Sequence, residues 1–190
     1  MKVIIYLLLM LSTQLLSAKG TEMNNVLIVY GSYAGSTAEV AEKMKDYLEK
    51  EGCVVEILSA EGKQIDIEKY DMVIIGSAIH GGKPHENIIK FVDANRVSLN
   101  SKKIAVFAVC SFVTSSKENN RKLAQTFPDR VASGLTPFSK AVFAGNIKSL
   151  GWFMNYMGKI ALGVKPGDYR DWNKINEWAE SLLKTSSDGM

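Results

Sequence analysis

The most constraining feature of this chain is an uninterrupted apolar run that ends in a small, uncharged loop. Val26-Leu27-Ile28-Val29-Tyr30 is β-branched and aromatic, and it reads as a buried strand. Gly31-Ser32-Tyr33-Ala34-Gly35-Ser36-Thr37 follows, with two glycines, no charge and three small hydroxyl side chains. Ser36 and Glu39 then stand in capping-box spacing, which predicts a helix start. A strand that opens through such a loop onto a helix N-terminus makes an anion site: backbone N–H groups point outward, and the helix dipole favours negative charge. The competing reading is an ordinary strand-to-helix turn, where Gly and Ser are common.

The loop is not a Walker loop. That motif needs four residues between its glycines and Lys-Ser/Thr after the second, whereas here three intervene and Ser36 follows. It is not G-x-G-x-x-G either. It resembles the phosphate loop of flavodoxins, a T-x-T-G-x-T run that grips the 5′-phosphate of FMN with neutral donors. Ser32, Gly35 and Thr37 match that pattern, and Ala34 departs from it by one hydroxyl. The resemblance implies FMN contacts from Ser32, Tyr33, Ala34, Gly35, Ser36 and Thr37.

Further along, apolar strands alternate with helices. A helix over Thr37–Glu51 carries Val40, Ala41, Met44, Tyr47 and Leu48 on one face and stops at Gly52. Strand two is Val54–Leu58, and its internal Glu56 marks a sheet edge. Strand three, Met72–Gly76, runs into a glycine-rich loop, Ser77–Pro84, and Pro84 suits a helix start. The next helix carries Ile88, Ile89, Phe91 and Val92. Strand four, Ile104–Val109, ends in Cys110-Ser111-Phe112, and a helix through Leu123 stops near Pro128. Strand five is Ala141–Ala144, and a last helix presents Trp172, Ile175, Trp178, Ala179 and Leu182. Five such strands predict a doubly wound α/β domain over residues 23–185, with a parallel sheet covered on both faces and a short tail over 186–190. The loops after strands one, three and four all look ready for a ligand. They can converge only if those strands are neighbours, which favours the order 2-1-3-4-5, with the switch point between strands one and three.

The resemblance to the flavodoxin-like family spans about Val26 to Leu183. Within it, the chain is similar to the menaquinone-dependent protoporphyrinogen oxidases. Ser32–Thr37 fills the phosphate-loop slot. Gly76, Ile79, Gly82 and His85 fall on matching positions of the loop after strand three, and Ala144-Gly145, an aromatic and basic insert, and Asp171-Trp172 match the C-terminal layout. The insert is shorter than in those oxidases, and its tip, Gly163-Val164-Lys165-Pro166-Gly167, lacks their charged sequence. The resemblance implies a flavodoxin-like fold, FMN, and transfer of electrons from a small substrate to a quinone or other acceptor. Ala78, Ile79, His80, Gly81, Gly82, Cys110, Ser111 and Phe112 would surround the flavin ring. A flat ring with a polar rim wants apolar or flat side chains on its faces, here Ile79 or His80 opposite Phe112, and glycine backbone close to its edge. No catalytic residue is assigned. His80 is the candidate, and the competing reading is a solvated loop histidine. His85 reads equally as a helix-backbone contact, Phe112 as core, and Ser32 and Thr37 as turn and cap residues. The alternative function is a flavodoxin-type carrier that docks to redox proteins.

Composition closes off other classes. The net charge is +3, and because two lysines and one glutamate lie in the first 23 residues, the remainder carries +2; the basic residues are scattered, so nucleic acid is not expected. Flavodoxin-type carriers are usually strongly acidic, and this chain is not. With two histidines, a hydrolase triad is not expected, nor is a metal site. Cys53 and Cys110 fall at opposite ends of parallel strands and read as free thiols. Lys2 before the apolar stretch Val3–Leu11 gives two readings of residues 1–22: a signal- or anchor-like leader, or a mis-set start before Met23. The first places the protein at a membrane or outside the cell, the second in the cytoplasm. The insert after strand five carries Trp152, Phe153, Tyr156, Met157, Ile160, Ala161 and Leu162 among Lys148, Lys159 and Lys165. It reads as a helix packed on the domain, as a lip beside the flavin, or as an interfacial helix in peripheral contact with a bilayer through Trp152–Leu162.

Overall fold

The computed structural model describes residues 25–61, 65–149 and 151–187. The leader and the end of the tail lie outside these residues. Strand β1 (Asn25–Gly31) pairs in parallel with both β2 (Val54–Ser59) and β3 (Met72–His80), β3 pairs with β5 (Lys103–Val109), and β5 with β6 (Ser139–Phe143). The order β2-β1-β3-β5-β6 is the expected one, with β1 and β3 adjacent at the switch point.

Alternation along the central strands sorts the core into two layers. Leu27, Val29, Val73, Ile75, Ile104 and Val106 face one side. There they meet Ile88, Phe91, Val92 and Leu99 of α2 (Glu86–Asn100), Ala124 of α3 (Glu118–Ala124), and Phe127 and Val131 of α4 (Phe127–Ala132). Val26, Ile28, Met72, Ile74, Ala105 and Phe107 face the other side. There they meet Val40, Ala41, Met44 and Leu48 of α1 (Ser36–Lys50), and Ile175, Ala179 and Leu182 of α6 (Trp172–Ser187). Glu56 does sit on an edge strand, and its carboxylate accepts a 2.5 Å hydrogen bond from the Tyr70 hydroxyl. Burial and that bond push the Tyr70 phenol up to about 12.

Three local expectations change. β3 does not stop at Gly76. It runs on to His80 and turns back through Gly81-Gly82 into β4 (Lys83–Pro84), with Ile79 opposite Pro84 and His80 opposite Lys83. Pro84 therefore ends a hairpin, and His85 is the N-cap of α2. The helix through Leu123 stops at Ala124, short of Pro128 as expected, and Pro128 itself lies in the first turn of α4, where its missing N–H costs nothing. Ser36 and Glu39 form no capping box, because Gly35 in the left-handed region is the N-cap of α1 and makes no side-chain cap. The insert helix α5 (Trp152–Leu162) does not bury its apolar face on the domain: none of its residues is buried.

Candidate functional site

The carboxyl ends of β1, β3 and β5 open into one cavity of about 600 Å³, within the range of about 300–1,000 Å³ common to small-molecule sites. At β1 the chain turns through Ser32-Tyr33-Ala34-Gly35. The Ser32 hydroxyl accepts from the Gly35 N–H at 3.0 Å and closes the loop. The first turn of α1 follows, where backbone N–H groups have no partner within the helix. Tyr33 and Ala34 line the cavity, while the Thr37 side chain is buried under that turn.

The second wall is the β3–β4 hairpin. Gly81 and Gly82 have φ of 56° and 76°, so this is a two-residue turn of the I′ kind, which requires left-handed backbone at both positions. Ile79, His80, Gly81 and Gly82 line the cavity, and Ala78 stands behind them in β3. The Gly82 carbonyl accepts from the Arg130 guanidinium at 2.7 Å, which pins the turn to α4.

Both histidines meet one aromatic ring. Tyr33 stacks 4.3 Å from the His85 ring and 5.6 Å from the His80 ring, so the tip of the first loop leans on the hairpin. His85 is buried. Its backbone N–H donates to Ser77 Oγ at 2.8 Å, and its Nδ1 accepts from the Asn87 N–H at 3.3 Å, as a helix-backbone contact would. A neutral ring so held carries its proton on Nε2. His80 is exposed at the cavity edge.

At β5, Cys110, Ser111 and Phe112 form the third wall, with the last two in a single helical turn, Ser111–Thr114. The Phe112 ring lies 6.2 Å from that of Phe127. Burial pushes the Cys110 thiol up to about 11, so it is a protonated wall group; Cys110 and Cys53 are both free.

The fourth wall is the insert, which the resemblance did not resolve into residues. Strands β7 (Asn146–Ile147) and β8 (Gly167–Asp168) pair antiparallel at its base. Asn146, Lys148, Met154, Asn155, Leu162 and Lys165 face the cavity. Ser36 points here: its hydroxyl donates to the Asn146 carbonyl at 3.3 Å and accepts from the Asn146 N–H at 3.0 Å. Glu39 bonds Arg170, which also grips Asp168 through Nε at 2.8 Å and Nη2 at 2.6 Å, and the Arg170 hydrogen bonds hold Asp168 below the usual carboxylate range. The capping-box pair is thus spent on a clasp between α1 and the base of the insert. No sequence spacing signals it, since the partners lie 110 and 131 residues apart. The far end of α5 is fixed by Ser115 Oγ, which donates to the Leu162 carbonyl at 2.5 Å, and by Asn120 Nδ2, which donates to the same oxygen at 2.9 Å.

Of the residues expected around a flavin, the cavity brings together Tyr33, Ala34, Ile79, His80, Gly81, Gly82, Cys110, Ser111 and Phe112. Ser32, Gly35, Ser36 and Thr37 shape the loop and first turn behind them. Among the described residues, no group of three His, Cys, Asp or Glu side chains is placed to hold a metal ion.

A doubly wound sheet with an uncharged loop at its switch point, and an apolar cavity over its strand ends, defines an α/β protein of the class that holds ligands at the carboxyl ends of its strands. A family model described as a flavodoxin domain matches residues 27–160. Escherichia coli (strain K12) protoporphyrinogen IX dehydrogenase (quinone) is 24% identical over 169 residues, covering 82% of this chain and 93% of that protein. Protein MJ0298 of Methanocaldococcus jannaschii is 32% identical over 159 residues, covering 83% and 97%. A solved short-chain flavodoxin associated with a non-canonical PDU bacterial microcompartment superposes with a TM-score of 0.60 at 19% identity, covering 86% of this chain and 99% of that one. The chain belongs to the flavodoxin family, and the cofactor its family implies is a flavin. The site fits one: an uncharged loop at a helix N-terminus for phosphate, and apolar walls with open backbone at the hairpin for a flat ring.

Proposed function

We propose that this protein binds FMN and acts as an oxidoreductase, taking electrons from a small reduced substrate and passing them to a quinone or another acceptor. The observation that carries the reading is the fourth wall. The insert lines the same cavity of about 600 Å³ as the three strand-end loops, so a flavin and a reactant would share one enclosure. Bound FMN would supply the electron chemistry. The chain's own part is to hold the phosphate at the first turn of α1, to set the ring between Ile79 and Phe112, and to exclude water with Met154 and Leu162. Lys148 and Lys165 at the cavity wall suit a substrate with carboxylate arms, as protoporphyrinogen has. The similarity to the Escherichia coli enzyme supports that substrate as the first to try.

A carrier docking to redox proteins is the second reading, and the exposed outer face of α5 favours it. Redox titration separates the two. An enzyme of this kind should take up both electrons at nearly one potential, and a carrier should show two well-separated one-electron steps. Turnover of protoporphyrinogen with a menaquinone analogue tests the substrate. Purified protein that neither is yellow nor changes its fluorescence or melting temperature on addition of FMN would overturn the cofactor reading itself.

A further inference from the structure

Helix α5 is apolar on the side where a surface helix should be polar. At about 100° per residue, Trp152, Tyr156, Ile160, Phe153 and Met157 sweep one arc of about 140°. All five are exposed, Trp152 at 83% and Tyr156 at 57%. Met154, Asn155, Gly158 and Leu162 occupy the opposite arc and line the cavity. The helix therefore stands as a thin wall with the cavity on one side and an aromatic, aliphatic face on the other. Its ends are tied down by the β7–β8 pairing and by Ser115 and Asn120, so the face is presented on a fixed support.

Charge selects the occupant of this face. From Asn146 to Gly167 there is no Asp or Glu; Lys148 and Lys165 face the cavity, and Lys159, next to Trp152 around the helix, is exposed at the rim of the apolar arc. A symmetric contact with a second copy would bring Lys159 toward its own image with no acid of the insert between them. An anionic lipid surface meets both features. Trp and Tyr settle at the headgroup boundary, Ile160 and Phe153 reach the acyl region, and Lys159 faces lipid phosphates. No helix among the described residues is long and apolar enough to cross a membrane, and α5 is about 16 Å long, so the contact would be peripheral.

We propose that the outer face of α5, centred on Trp152, Phe153, Tyr156 and Ile160, seats the protein on an anionic bilayer, with α5 standing between the lipid and the cavity. The contact needs no bound flavin, so it stands or falls apart from the redox reading.

The test is sedimentation of the full chain with vesicles of phosphatidylcholine containing phosphatidylglycerol, against phosphatidylcholine alone. Binding should be at least about tenfold tighter to the anionic vesicles. Trp152→Glu with Phe153→Glu should weaken it by about tenfold or more, with melting temperature and flavin uptake unchanged, since neither side chain lines the cavity. Brominated lipid should quench the fluorescence of the natural chain, and Trp152→Phe should remove most of that quenching. Equal binding by the double variant would overturn the proposal, because the contact would then lie elsewhere, in the leader for example. No vesicle binding by the natural chain would overturn it too, as would self-association abolished by the double variant.

Discussion

Replacing Gly76 by Ala tests how the core is built. Gly76 pairs with Phe107 across β3 and β5, and the far end of the Phe107 ring lies over it. A Cβ at residue 76 would meet ring carbons at 2.1, 2.4 and 2.7 Å. Ordinary carbon contact is about 3.5 Å, so the ring would have to withdraw by more than about 1 Å. It has little room to do so, because the Phe143 and Trp178 rings stand 6.1 and 6.0 Å from its centre and close the box. Overpacking typically costs about 1–3 kcal/mol, and with three ring atoms in conflict Gly76→Ala should lie at the upper end, about 3 kcal/mol. Phe107→Leu alone should cost about 1–2 kcal/mol for lost ring contacts. In that background the added methyl has space, so Gly76→Ala should cost less than about 1 kcal/mol more, a coupling of about 2 kcal/mol. Urea unfolding of the four proteins at one fixed flavin concentration measures this, since bound ligand would otherwise shift the midpoints. Costs that add to within about 0.5 kcal/mol would refute the packing account.

Ser32→Ala removes the acceptor for the Gly35 N–H and should weaken FMN binding by about 1–3 kcal/mol, read by fluorescence titration; unchanged affinity would detach this loop from the phosphate. Arg170→Ala breaks the bonds to Glu39 and Asp168 and should cost about 1–3 kcal/mol in denaturant unfolding, with Arg170→Lys restoring only part because an ammonium cannot grip both carboxylates in the same plane. Ser115→Ala should speed amide hydrogen exchange in α5 while leaving the central strands protected. The Cys110 thiol is raised by burial, so the reactive thiolate gains population only as pH climbs toward about 11; alkylation should stay slow at neutral pH and rise steadily through that range.

The sheet was legible because its signal is local. Val26–Tyr30, Met72–Gly76 and Ile104–Val109 each read as apolar strands by themselves, and Glu56 in strand two carried the mark of an edge. The hairpin after β3 was read as a loop because Gly81-Gly82 breaks the apolar run, although a glycine pair between Ile79 and Pro84 is also what a two-residue turn needs. Ser36 and Glu39 misled for a deeper reason. Their spacing fits a cap, but tertiary partners at Asn146 and Arg170 took both side chains. Pattern alone also could not orient α5. An aromatic helix is ordinarily buried, and here the space that would bury it is the cavity.

The β7–β8 pairing at the base of the insert places Asn146 opposite Asp168. Twenty-one residues therefore depart from and return to nearly one point, and the ties of Leu162 to Ser115 and Asn120 are made to segments outside the sheet. Such a segment is interchangeable in principle. A short turn joining Asn146 to Asp168, with Ser36, Glu39 and Arg170 kept, should leave the parallel sheet and the phosphate loop standing. Inserts of other lengths and surfaces could be grafted onto the same two residues, so one scaffold would exchange its docking face and reactant wall while keeping its cofactor seat.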